Sequence, residues 1–142
     1  MSKALTAAIL LSAAAATPAL AHHSFAMFDM SKQVSITGTV KDFQYTNPHS
    51  WVIVMATGPD GKQTEWGFES EGPSTLLRAG IKHSSLNAGD KVTALAFPMR
   101  DGRPAGSLIS VTKAGGEVLT FRVGRPPAGV ATGGSSRGSV GG

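Results

Sequence analysis

Val34-Ser35-Ile36-Thr37-Gly38-Thr39-Val40-Lys41-Asp42-Phe43-Gln44-Tyr45 is the stretch on which the fold turns. In its first half Val34, Ile36, Gly38 and Val40 alternate with polar residues, the period of a strand with one buried face. In its second half the parity changes, because Phe43 and Tyr45 fall at odd positions while Asp42 and Gln44 are polar. One extra residue near Lys41-Asp42, a β-bulge, joins the two halves into a single bent strand. A strand bent in this way can serve both halves of a barrel.

Downstream, Trp51 to Ala56 is a continuous apolar run closed by the turn Gly58-Pro59-Asp60-Gly61. It reads as a second strand with Trp51 and Met55 in the core. Thr64, Trp66 and Phe68 alternate with Glu65, Gly67 and Glu69, which makes a third strand with a solvated glutamate face. Glu65 and Glu69 then lie about 13 Å apart by strand rise, too far for a general acid/base pair. A short helix follows: Gly72 caps it, Pro73 suits its first position, Leu76 and Leu77 form its apolar face, and Gly80-Ile81 stops it. Strands from Lys91 to about Met99 and from Ser107 to Lys113 come next, and Val118 to Phe121 adds a short hairpin arm.

This order predicts a mainly β chain, a small five-stranded antiparallel barrel of OB-like form with one short helix between strands 3 and 4. An open sandwich, or a sheet carrying one helix, fits the same succession of elements.

Upstream of the barrel, Lys3 precedes an apolar run from Ala4 to Ala16, and Thr17-Pro18-Ala19-Leu20-Ala21 follows it. A charged start, a short apolar core and an A-x-A site together read as a signal peptide cleaved after Ala21. At about 13 residues the run is well short of the roughly 20 that a membrane span needs. The expectation is an exported protein, periplasmic or secreted, beginning at His22-His23 and without a transmembrane segment after cleavage. Residues 22–121 then form one domain, and 122–142, rich in Gly, Ser, Pro and Arg, read as a disordered tail.

Composition removes several function classes. The chain has no cysteine, so a thiol nucleophile, Cys-ligated zinc, an iron–sulfur cluster and disulfide staples are all excluded. Its net charge of +4 lies outside the domain, because residues 22–121 carry nine Lys/Arg against nine Asp/Glu. A neutral domain lacks the basic stripe of a nucleic-acid binder. Neither a G-x-S-x-G elbow nor a phosphate-binding glycine loop is present, so no familiar catalytic constellation can be assigned.

The histidines carry the remaining chemistry. Cleavage would leave His22 with a free α-amine beside its ring nitrogen, a chelate that becomes a copper-favouring nitrogen site once a second imidazole joins it. His49, in Asn47-Pro48-His49-Ser50-Trp51, is the candidate for that imidazole, because His23 is too close along the chain to face His22 across an ion. A softer version adds Met55, which shares a strand face with His49 if 49–55 is extended, and brings in the nearby Met27 and Met30. A structural alternative stays open for each of these residues. His22 and His23 would begin a loose terminus, and Asn47-Pro48 would make a turn across which His49 hydrogen-bonds.

His22-His23-Ser24-Phe25, Gly38-Thr39-Val40, Thr46-Asn47-Pro48-His49-Ser50-Trp51, Glu65-Trp66-Gly67-Phe68-Glu69, Leu77-Arg78-Ala79-Gly80 and Gly89-Asp90-Lys91-Val92 together resemble a family of small secreted bacterial proteins of unknown function. The resemblance runs from His22 to about Leu119, with Ile81 standing where that family's pattern would have a tryptophan. It implies an exported barrel-like domain and brings no substrate, cofactor or catalytic residue with it. Two functional expectations result. One is a non-enzymatic binding or accessory domain for a ligand or protein partner of unassigned kind. The other is a copper-handling protein that uses His22, with His23, His49 and Met55 as further candidate ligands.

Overall fold

The computed structural model describes residues 26–122. The segment read as a signal peptide, the His22-His23 pair and all but the first residue of the segment read as a tail lie outside the described residues. Six strands form one sheet: β1 (Val34–Gln44), β2 (Trp51–Thr57), β3 (Gln63–Glu69), β4 (Lys91–Pro98), β5 (Ala105–Lys113) and β6 (Val118–Thr120). The order β3-β2-β1-β4-β5-β6 gains an additional β3–β5 pairing, which closes the first five strands into a barrel. One short helix, α1 (Pro73–Arg78), lies between β3 and β4. The OB-like barrel expected from the strand order is therefore present, and β6 pairs with β5 as a hairpin arm.

The barrel is mixed, which corrects the antiparallel expectation. Gly67, Phe68 and Glu69 pair in parallel with Ala105, Gly106 and Ser107, and the Gly67 amide donates to the Pro104 carbonyl at 3.1 Å. Strand alternation carries no information about this seam, because pairing two strands so distant in sequence depends on how the whole ring curls.

The bent first strand is the hinge of the ring. Val34 to Thr39 pair with β4, Thr39 to Gln44 pair with β2, and the register shifts between Val40 and Asp42. This is the bulge that the change of parity requires. A Cβ on Gly38 would fall less than 3 Å from the Met55 carbonyl and from Val54 Cγ1, so the handover from β4 to β2 needs a residue without a side chain.

Val40, Phe43, Val52, Val54, Phe68, Val111 and Phe121 fill the interior, each no more than 4% exposed. Fully burying side chains of this size is worth about 1.5–3 kcal/mol apiece. In β2 the inward residues are Val52 and Val54, while Trp51, Ile53 and Met55 are half-buried on the outer face. Trp51 and Met55 are thus not core. The run Trp51–Ala56 is apolar at every position, so period-two alternation could not choose its inner face.

Helix α1 closes one end of the barrel. Leu76 is fully buried, but Leu77 is 58% exposed, so the apolar face of this helix is narrower than expected. Gly80 has φ 82°. Its amide donates to the Leu77 carbonyl at 3.0 Å and the Ile81 amide to the Leu76 carbonyl at 2.9 Å, a Schellman stop. Ile81 joins Leu76 in the core, which is the hydrophobic contact that accompanies such a stop. The Tyr45 hydroxyl lies within hydrogen-bond distance of the carbonyl oxygens of Pro73 (3.0 Å) and Ile81 (2.9 Å), tying both ends of the helix to β1.

A second, smaller apolar cluster fixes the segment before β1. Phe28, Phe97 and Met99 are its buried members, with Met30, Ala105 and Ile109 packed against them. The backbone of this segment bonds to the end of β4: Phe28 bridges Met99, the Asp29 amide reaches the Pro98 carbonyl, and the Arg100 amide reaches the Met27 carbonyl. The Arg100 side chain also holds the Ala26 carbonyl at 3.1 Å. No helix among the described residues is long and apolar enough to cross a membrane.

Candidate functional site

The loop from β1 to β2, the end of β3 and the start of β5 converge at the parallel seam. Between them is a small open cleft of about 40 Å³, lined by Phe28, His49, Glu69, Ser70, Glu71, Ser107, Leu108, Phe121 and Arg122. A volume of this order holds a water or two, or an ion, and is far below the roughly 300–1,000 Å³ typical of pockets that enclose an organic ligand.

Backbone contacts fix the loop that carries His49. The Thr46 hydroxyl donates to the His49 carbonyl at 2.9 Å. Ser50 is completely buried. Its amide donates to the Glu71 carbonyl at 3.2 Å, and its carbonyl accepts from the Ser70 amide at 2.9 Å, which extends the β2–β3 ladder past the strand ends. The Asn47-Pro48 peptide is cis. A Cβ on Gly72 would meet the Pro48 carbonyl oxygen at 2.6 Å, so the loop packs directly against the start of α1. The helix-capping position is therefore a glycine because of the loop lying over it.

At the centre of the cleft, His49 Nδ1 lies 2.5 Å from Glu69 Oε1, with the two side chains 40% and 10% exposed. Burying a carboxylate is costly unless a cation or a donor lies against it, and here the imidazole is the neighbour. A neutral imidazole with its proton on Nδ1 would present Nε2 as an acceptor. Nε2 has no protein partner among the described residues. An imidazole held in this way can take a proton or coordinate a metal ion through Nε2. The turn reading of His49 is met by its carbonyl, which Thr46 holds, while its ring is committed to Glu69.

Glu69 is the residue that alternation misplaced. Glu65, on the same nominal face, is solvated and pairs with Lys41. Glu69 is only 8% exposed, because β5 reaches β3 just at its last three residues and covers that end. The sequence holds no local signal for this burial, and the same holds for Ser107, also 8% exposed. Arg122, which composition assigns to the tail, lines the cleft and stands 5.2 Å over the Phe97 ring.

The other sequence candidates are scattered. Met55 lies opposite Thr39 and Glu65 on the outer face of β2, about 13 Å of strand beyond Trp51, and is not part of the cleft. Met27 is 40% exposed, and Met30 packs against the Phe28 cluster. His22 and His23 lie outside the described residues. Among the described residues, no group of three or more His, Asp or Glu side chains is arranged to hold a metal.

No curated protein and no solved structure matches the chain. The chain does match a family of unknown function, DUF6152, over residues 9–109, from the apolar N-terminal run into β5. On a match of that extent, this protein is a member of the DUF6152 family.

Proposed function

We propose that this chain is exported, is cleaved after Ala21, and acts as a small non-enzymatic binding domain that takes copper at its new N-terminus. The donor set is the α-amine and ring of His22 together with Nε2 of His49. Three nitrogens in a site without thiols suit Cu(II), and imidazole and amine donors hold it more tightly than other divalent ions of the series. His23 extends the terminus without joining the set, and Met55, on the outer face of β2, is left out of it.

One observation carries the reading: the cleft lined by His49 is also lined by Phe28, six residues from His22. Ala26, whose carbonyl Arg100 grips, is four residues from His22, and four residues span up to about 14 Å. The cleft's size favours an ion over an organic ligand.

The experiment compares mature protein starting at His22 with the same protein carrying one extra N-terminal alanine. Each is titrated with Cu(II) and followed by calorimetry and electron paramagnetic resonance. One copper per mature chain with a nitrogen-rich spectrum, and marked weakening in the extended form, is the expected result. Equal binding by both forms, or none by either, refutes it, as does intact mass of exported protein showing cleavage at another bond.

A further inference from the structure

We infer that a second cleft, between the first half of β1 and the β2–β3 hairpin, is a binding site for a neutral saccharide. The inference goes beyond the copper reading and shares no residue with it. The cleft follows from the way β1 changes partners. Thr39 to Gln44 pair with β2, whereas Val34 to Gly38 pair with β4 alone. Ala56 and Thr57, at the far end of β2, pair with β3 alone. The two strands touch at Gly38, where a Cβ would fall less than 3 Å from the Met55 carbonyl, and they part beyond it. The result is an open wedge of about 350 Å³, lined by residues 35–37 of β1, residues 56–58 around the end of β2, and Thr64 and Trp66 of β3. That volume lies within the range of clefts that take small organic ligands.

The lining selects the class of ligand. No side chain in it is ionisable, so a charged ligand would give up water without gaining a counter-charge. Trp66 is half-buried and packs against the core. Its ring lies nearly parallel to that of Phe68, with 5.9 Å between centroids and 12° between planes. A flat apolar surface backed in this way suits the C–H face of a pyranose ring. The hydroxyls of Ser35, Thr57 and Thr64 make no hydrogen bond to the described residues, while that of Thr37 is engaged by Thr93. A hydroxyl both donates and accepts, which is what the hydroxyls of a sugar require of a partner. Three consecutive residues of β1 line the wedge, so it faces the edge of that strand and the main-chain groups an edge presents. The closed end favours a compact ligand over an extended peptide, because a strand added along β1 would have to part the contact between Gly38 and Met55.

Trp51 and Trp66 are the two tryptophans of the chain. Trp51 lies on the outer face of β2, so a Trp51→Phe background leaves Trp66 as the sole indole reporter. Maltose, cellobiose and N,N′-diacetylchitobiose are titrated into this protein, followed by Trp66 fluorescence and by saturation-transfer NMR of the sugar protons. Glucuronate, glucosamine and tetra-alanine serve as the charged and peptide comparisons. At least one neutral disaccharide is expected to shift the emission and receive saturation, and the three comparison compounds to bind more weakly. Thr57→Val and Thr64→Val keep the side-chain shape without the hydroxyl, and each is expected to weaken binding roughly two- to tenfold. Trp66→Leu is expected to abolish it, and if that variant fails to fold the two valine variants decide. No response to any of the three disaccharides, binding unchanged in both valine variants, or preference for a charged sugar or for tetra-alanine overturns the assignment.

Discussion

Replacing Gly38 with alanine should cost the protein far more than the same change at Gly67, although both are strand glycines next to apolar residues. At Gly38 the new methyl would lie under 3 Å from the Met55 carbonyl and from Val54 Cγ1, where β1 leaves β4 for β2. The carbonyl belongs to a paired backbone and cannot rotate away, so the ladder itself must open. Overpacking of this kind costs about 1–3 kcal/mol, and a clash with backbone puts Gly38→Ala near the upper end. For a domain of this size, about 3 kcal/mol lowers the melting temperature by roughly 12–24 °C. At Gly67 the methyl would meet Trp51 and Ile53 at 3.8–3.9 Å, ordinary contact distances. Gly67→Ala should therefore be neutral or gain up to about 1 kcal/mol, through lower entropy of the unfolded chain. Urea denaturation followed by circular dichroism measures both. A Gly38→Ala variant within about 0.5 kcal/mol of wild type, the range of harmless surface changes, would refute the account of the handover.

Leu76→Ala should destabilise by about 2–5 kcal/mol and Leu77→Ala by less than about 0.5 kcal/mol, as chemical denaturation would register, because only Leu76 is buried. The Ser31 hydroxyl and amide hydrogen-bond to Asp29 and hold its carboxyl below the usual value of 3.8. A carboxyl depressed in the folded state stabilises it above pH 3.8, and that contribution is lost as pH falls through the folded value. Thermal melts at neutral pH and near pH 3 should accordingly differ less in Asp29→Asn than in wild type.

Local rules carried much of the fold. The parity change at Lys41-Asp42 named the bulge between Val40 and Asp42, and Gly80-Ile81 named the Schellman stop. What escaped them shares one cause. The parallel seam, the inner face of β2 and the burial of Glu69 are set by which strands meet when the ring closes, and that information is spread over the whole chain. His49 was legible as a candidate because it is one of only four histidines in the chain and sits in the Asn47-Pro48-His49-Ser50-Trp51 stretch. Its partner was not, since Glu69 and Glu65 look alike until β5 covers one of them.

The rung that shuts the ring and the floor of the cleft are the same piece of chain. Glu69 is the last of three residues joining β3 to β5, so a fluctuation that parts those strands opens its buried side chain to water while its antiparallel pairing with Trp51 remains intact. Such partial opening is governed by its own free energy, smaller than that of global unfolding. An ion that engages only the intact cleft raises that free energy by mass action. Slowed amide exchange at Gly67, Phe68 and Glu69 would then register occupancy from inside the wall of the barrel.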